Sequence, residues 1–256
     1  MTRPDGALPH GYRRETFDSL VSTNDEALAR ARGGDPGRLW IVAREQHGGR
    51  GRQGRPWSSP PGNVYSSLLL VEPCAAALSP QLGFVAGVSL HMAVTAVAGR
   101  DGIALKWPND LLVGGAKVSG ILVEGATLPG GALAVVIGIG VNVRHAPQDT
   151  PYPATSLAER VPGLEPEALF GALASAMADT LDVWQGGKGF VAVRRAWLER
   201  AGGLGEMITV RRPAGDVSGI FRDIDPDGRL LLDADGRTVP IEAGDVFFNR
   251  PPGGLP

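Results

Sequence analysis

Apolar residues recur along this chain with two different periods, and those periods divide it into elements before any chemistry is considered. Near the amino end, Ala27-Leu28-Ala29-Arg30-Ala31-Arg32 follows Ser22-Thr23-Asn24-Asp25-Glu26 and precedes Gly33-Gly34. Thr23 and Glu26 stand at capping-box spacing, alanine favours helix and glycine ends it, so the pattern predicts a short capped helix. A second helix is predicted with Ser79 as N-cap, Pro80 in the first turn, apolar positions at Leu82, Val85 and Ala86, and a stop at Gly99. Two more follow from aliphatic and aromatic residues recurring near helical spacing over Pro166–Trp184 and residues 189–200, the last closed by Gly202-Gly203.

Elsewhere the period shortens to two. Ile103, Leu105 and Trp107 share one face and Ala104 and Lys106 the other, until Pro108 withdraws a backbone donor and leaves Lys106 near a strand end. Leu111-Leu112-Val113, a Gly114-Gly115 turn and Lys117-Val118-Ser119-Gly120-Ile121-Leu122-Val123 predict a hairpin. Residues 133–143 follow the turn Pro129-Gly130-Gly131, and their unbroken apolar run predicts a strand buried on both faces. After about Leu204 come short β-prone pieces at Met207-Ile208-Thr209-Val210, Gly219-Ile220-Phe221 and Arg229-Leu230-Leu231-Leu232. Asp-Pro-Asp-Gly and Asp-Ala-Asp-Gly turns separate them, which predicts a small β barrel or sheet and a domain boundary between Gly203 and Gly205. Residues 147–153 and 251–256 read as irregular.

Composition narrows the class. With 256 residues and 43% hydrophobic content the chain can bury one sizeable core, with room for a small appended domain. Cys74 is the single cysteine, so no intrachain disulfide forms, and His10, His47, His91 and His145 lack zinc-site spacing. A reducing, cytoplasmic setting fits. Residues 1–15 have no apolar core, and no later run approaches the ~18 consecutive apolar residues of a membrane span, so no membrane is expected.

Charge is concentrated in one place. Gly48-Gly49-Arg50-Gly51-Arg52-Gln53-Gly54-Arg55 joins four glycines, which let backbone approach a ligand, to three permanent cations. From Arg44 to Arg55 four arginines face only Glu45, a local net of +3, so the rest of a chain of net charge -2 carries -5. A nucleic-acid binder spreads basic residues over a face, whereas this loop suits a single phosphate-bearing ligand. Other candidates lie at strand ends or helix starts, where each could also be ordinary structure: Ser22, Thr23 and Asn24 as a helix cap, Lys106 and Lys117 as solvated lysines. Trp57 and Trp107 could be packing residues, Asn142 could satisfy a strand end, and Gly120 and Gly138 could be bulges.

Taken in order, Ser22-Thr23-Asn24, Gln46 with residues 49–55, Lys106-Trp107-Pro108-Asn109-Asp110, Lys117-Val118-Ser119-Gly120-Ile121-Leu122 and Gly138-Ile139-Gly140-Val141-Asn142 resemble biotin protein ligases, with similar intervals over nearly the whole chain. The resemblance implies an α+β fold: a mixed β-sheet catalytic domain with helices over residues 1–204, of the biotin/lipoate ligase type and distantly similar to class II aminoacyl-tRNA synthetases. Residues 205–256 would form a small SH3-like β barrel. It implies activation of biotin by ATP to biotinyl-5'-AMP, release of pyrophosphate, and transfer to a lysine of a biotin carboxyl carrier protein of acetyl-CoA carboxylase or a related carboxylase.

The same resemblance distributes the residues. Ser22, Thr23, Asn24, Gln46, Gly49, Arg50, Gly51, Arg52, Lys117 and Gly120 are expected to bind biotin; Arg50, Arg52, Trp57, Lys117 and Asn142 are expected to bind ATP. Arg50, Arg52, Lys117, Lys106 and Asp110 are expected to serve catalysis, because two anions meet in the first step and fixed cations lower that barrier. Magnesium is expected with ATP, with no protein ligand assigned. About twenty residues precede Ser22, too few for the operator-binding winged helix of many relatives, so no operator DNA is expected; a homodimer is compatible. Gly244-Asp245-Val246-Phe247-Phe248-Asn249-Arg250 resembles the closing strand, and no nucleotide contact is carried onto Arg250. The loop should be disordered when empty and fold over biotin and ATP. The rival readings are a lipoate-type acyl-adenylate ligase, against which the Arg/Gly loop and Ser-Thr-Asn argue, and a nucleic-acid-binding module, against which the acidic remainder argues.

Overall fold

A computed structural model describes residues 8–248; Asn249, Arg250 and the segment 251–256 lie outside the described residues. Seven strands make one mixed sheet: β1 (Arg13–Leu20), β2 (Leu39–Gln46), β3 (Val64–Val71), β4 (Ile103–Lys106), β5 (Asp110–Val113), β6 (Ala116–Thr127) and β7 (Leu133–Val141). Their order is β1-β2-β3-β7-β6-β5-β4, with β1 parallel to β2 and every other pair antiparallel. The predicted hairpin is present as β5 and β6, turning at Gly114 and Gly115, both with positive φ.

Helix α1 (Thr23–Arg32) covers one face, where Ala27 and Ala31 pack on Leu39, Ile41, Leu69, Ala134 and Val136. The other face carries α2 (Gln81–Ala98), α3 (Pro166–Trp184) and α4 (Phe190–Leu198). Trp40 from β2 is fully buried there and meets Phe170 of α3 edge to face at 5.5 Å. Burying such a side chain contributes roughly 1.5–3 kcal/mol. Strands β1, β2 and β3 were not predicted. β2 and β3 are buried on both faces and therefore show no alternation, while β1 is a polar edge strand.

Local expectations are corrected at several ends. Ser22, not Thr23, caps α1, its hydroxyl accepting from the Asp25 amide at 3.4 Å, because the Thr23 hydroxyl is turned to Gln46. Ser79 is not a cap: α2 begins at Gln81, and the Ser79 hydroxyl donates to the Ala76 carbonyl of a preceding 3-10 turn. The last helix ends at Leu198, before Gly202-Gly203. The helical run Ala76–Ala98 is, by length and composition, apolar enough to cross a membrane, but 72% of its most apolar stretch is buried inside this fold, as a core helix.

Beyond residue 204, β8 (Met207–Arg211), β9 (Val217–Ile224), β10 (Leu230–Ala234), β11 (Arg237–Ile241) and β12 (Asp245–Phe248) form an antiparallel sheet in the order β11-β10-β9-β8-β12. Ile208, Val210, Phe221 and Leu232 of this sheet belong to the same apolar cluster as α2, α3 and α4.

Candidate active site

Strand register builds the floor of the site. Pairing aligns Lys106, Asp110, Gly120, Gly140, Tyr65 and Ala43 across β4, β5, β6, β7, β3 and β2, and residues paired in a sheet share a face. Two residues further along, Leu122, Gly138, Ser67 and Ile41 form the next row, and Glu124, Val136, Leu69 and Leu39 the one after it. This is the face that α1 covers, and a cavity of about 900 Å³ opens on it. Glycine in the floor is a steric requirement. A Cβ on Gly138 would overlap Asn24 Oδ1 and lie 2.9 Å from its Cγ, and one on Gly140 would lie 2.6 Å from Trp57 Nε1.

At the α1 end the cavity is neutral and polar. Gln46 Oε1 accepts from the Thr23 amide at 2.8 Å and the Thr23 hydroxyl at 3.1 Å, while Gln46 Nε2 donates to Ser59 Oγ at 3.0 Å. The buried Ser67 hydroxyl lies 2.7 Å from Thr23 Oγ1 and 2.6 Å from Asn24 Oδ1, and Asn24 Nδ2 donates to Glu124 Oε2 at 2.6 Å. Side chains so interlocked present fixed donors and acceptors to whatever lies against them.

At the other end cations converge. Lys117 Nζ pairs with Asp110 Oδ1 at 2.7 Å, both side chains largely buried, and sits 5.4 Å from the Trp57 ring and 5.2 Å from the Tyr152 ring. Arg52 donates to Asn109 Oδ1 at 3.4 Å, and Lys106 lies 5.8 Å from the Phe247 ring of β12. Burial lowers the pKa of both Arg52 and Lys106, and among the described residues neither has a carboxylate within ion-pair distance. Cations short of solvent and of counter-ions are stabilised by an incoming anion.

The Arg/Gly loop is a small hairpin: Gly51 N–H donates to the Arg55 carbonyl at 2.8 Å and Trp57 N–H to the Gly49 carbonyl at 2.9 Å. Lacking apolar side chains, it is anchored by ion pairs. Arg50 bonds Asp25 at 2.7 and 2.8 Å and Glu124 at 3.2 Å, and Arg55 bonds Asp245 of β12 at 2.5 Å. The Asp25 hydrogen bonds hold the Arg50 pKa above its ordinary value.

Ser22, Thr23, Asn24, Gln46, Arg50, Gly51, Arg52, Trp57, Lys106, Asp110, Lys117 and Gly120 all line the cavity. Gly49 sits behind the wall, where a Cβ would lie 2.6 Å from Ser59 Oγ. Asn142 is not brought to the wall: it is 2% exposed and donates to the Thr155 carbonyl at 3.2 Å. Sequence reading passed over Glu124, Ser67 and Tyr152, and it read residues 244–250 as a closing strand without placing them at the cavity. Asn109 stood inside a quoted motif, and Glu124 directly follows the predicted strand ending at Val123, whereas Ser67 and Tyr152 carried no local signal.

A mixed sheet whose glycine floor lies between a polar turn and a cation cluster suits a ligand with a neutral polar end and an anionic end. The sequence profile of the Biotin/lipoate A/B protein ligase family matches residues 20–142, and that of the Biotin protein ligase C terminal domain matches residues 203–249. The chain is 41% identical over 238 residues to an acetyl-CoA-carboxylase biotin ligase of Paracoccus denitrificans, covering 89% of this chain and 97% of that one. It is 34% identical to the corresponding ligase of Mycobacterium tuberculosis, covering 94% and 91% of the two chains. Among solved structures, the biotin protein ligase of Aquifex aeolicus in complex with biotin and ATP superposes with a TM-score of 0.78 at 26% identity, covering 93% of this chain and 99% of that one. The chain belongs to the biotin protein ligase family.

Proposed function

We propose that this protein activates biotin with ATP and transfers the biotinyl group to a lysine of a biotin carboxyl carrier protein. A biotin carboxylate oxygen attacks the α-phosphorus of ATP, the bond to the bridging oxygen breaks, and pyrophosphate leaves. The carrier amine then attacks the carbonyl carbon of biotinyl-5'-AMP, loses its proton, and AMP departs. The observation that carries this reading is the polarity of one continuous cavity, neutral hydrogen-bonding groups at Thr23, Asn24 and Gln46 and cations at Arg52, Lys106 and Lys117.

The roles follow from that polarity. Ser22, Thr23, Asn24 and Gln46 take the uncharged ureido ring, with Ser67 holding the Asn24 carbonyl oxygen in place. Gly120, Gly138 and Gly140 let Trp57, Lys117 and Asn24 lie close on the sheet, from where they face the ligand. Arg52, Lys106 and Lys117 face the carboxylate and the phosphate, where charge builds in the transition state, and Asp110 orients Lys117. Trp57 offers its ring to the adenine. Arg50, engaged by Asp25 and Glu124, serves to hold the loop. Asn142 acts on the nucleotide only through the backbone it supports at Thr155.

Among the described residues no group of three His, Cys, Asp or Glu side chains is placed to hold a metal, and Asp110 is already paired with Lys117. Magnesium would enter with ATP, held chiefly by its phosphates and water. Strands β8 to β12 belong to the second unit, with β12 and Arg211 lending a wall to the cavity. The cytoplasm, where ATP and carrier proteins occur, suits the reaction, and a homodimer is compatible with it.

The test is incubation with biotin, magnesium-ATP and a purified biotin carboxyl carrier domain. A biotin-sized mass increase on that domain is expected; its absence with active control reagents would overturn the proposal.

A further inference from the structure

We propose that Glu124 is a positioning residue which, with Asp25, latches Arg50 and so ties the Arg/Gly loop to the turn that recognises the ligand ring. Four side chains close a circuit. Asn24 Nδ2 donates to Glu124 Oε2 at 2.6 Å, Arg50 Nη2 donates to both Glu124 oxygens at 3.2 Å, and Arg50 donates twice to Asp25 at 2.7 and 2.8 Å. Asn24 and Asp25 are neighbours in the chain, so the circuit returns to the first turn of α1. Glu124 enters it from β6, 74 residues away from Arg50 and 100 from Asn24.

The chemistry of a carboxylate gives Glu124 two duties at once. It only accepts, so it fixes the Asn24 amide with Nδ2 toward itself and Oδ1 toward Ser67 and the glycine floor. A reversed amide would set Oδ1 against a carboxylate oxygen. Glu124 also supplies the second negative charge that keeps the Arg50 guanidinium beside α1 and away from the cation cluster. Arg50 thus brings no unpaired charge toward Arg52 and Lys106, and the hairpin it carries is held down over the cavity. The Asp25 pKa lies below the ordinary aspartate value, the hydrogen bond from Arg50 being its largest lowering cause. A ligand that orders the Asn24 turn therefore also steadies the loop, through Glu124 and Asp25.

This inference rests on the reading of the cavity as a biotin and ATP site, yet its first measurement needs no substrate. Hydrogen exchange of residues 48–57 is compared in the full-length wild type, Glu124→Gln, Arg50→Met and the double variant. Loss of a charge-assisted hydrogen bond predicts about tenfold faster exchange in each single variant and no further gain in the double. Unchanged exchange in Glu124→Gln, or effects that multiply in the double variant, would overturn the latch. Should Glu124→Gln not fold, Asp25→Asn, at a half-exposed position, replaces it in the same comparison with the same outcomes. In steady state, Glu124→Gln should raise KM for biotin more than it lowers kcat, and Glu124→Asp should recover part of the loss. Equal loss on KM and kcat with no recovery would reduce Glu124 to a fold residue and reject the proposal. Failure of the latch leaves carrier labelling by the wild type intact, so it is distinguishable from failure of the ligase reading.

Discussion

At Gly138 the space available is less than one methyl group. The Asn24 side chain rests directly on its Cα, and Asn24 in turn is held by Ser67 and Glu124, so it has no free direction in which to yield. Gly138→Ala should therefore displace Asn24 and weaken biotin binding by roughly tenfold or more, on the scale of 1–3 kcal/mol for overpacking a filled site. Isothermal titration with biotin would measure it, and wild-type affinity would show that Asn24 does not contact the ring. The same scale separates the loop arginines, which look alike in sequence. Arg50 and Arg55 have carboxylate partners, whereas among the described residues Arg52 has only the Asn109 amide, so the unspent charge is on Arg52.

Among the elements, α2 shows how one helix can serve packing and set a pH limit together. It is apolar on nearly every side and buried between the sheet, α3 and α4, and it takes His91 with it to 5% exposure. Burial is the main cause that lowers the His91 pKa to about 4, and Arg200 and Arg100 lower it further. The unfolded chain binds a proton near pH 6.5 that the folded one refuses, so the stability contribution is complete above pH 6.5 and is lost as pH falls toward 4. The amount is on the order of 3 kcal/mol. Urea denaturation between pH 7 and pH 4 should show this loss, and His91→Gln should flatten the slope; an equal slope in the variant would assign the acid sensitivity elsewhere. The elements that escaped the sequence reading share a cause. β2 and β3 are sandwiched between α1 and the other helices, so both faces are apolar, and a strand buried twice has no period to detect. β7 shares that burial yet was legible, because its run of Val135, Val136 and Ile137 follows two turn glycines.

For the molecule as a whole, the two sheets share one apolar core, so the boundary near Gly203 divides the chain without dividing its stability. Phe221 of β9 is 1% exposed within the cluster that also holds α2 and α4. Phe221→Ala should cost about 3–5 kcal/mol. It should lower a single unfolding transition seen alike by far- and near-ultraviolet circular dichroism, and two separated transitions would show that the C-terminal sheet is independent. Contiguous chemistry was readable without the fold: the Arg/Gly loop, Ser22-Thr23-Asn24, Lys106, Asp110 and Lys117 stood out by residue type, and the structure brings them to one cavity. The sequence by itself also determined the glycine-turned hairpin and the bounds of α3, because turn and helix signals act over a few residues. Only the tertiary structure decided which arginine lacks a carboxylate partner among the described residues, that Glu124 and Asp25 bond Arg50, and that β12 walls the cavity. Those outcomes depend on strand register and on packing between residues 74 to 190 positions apart. No local pattern encodes such pairings, since the cost of bringing distant segments together is met by the whole core.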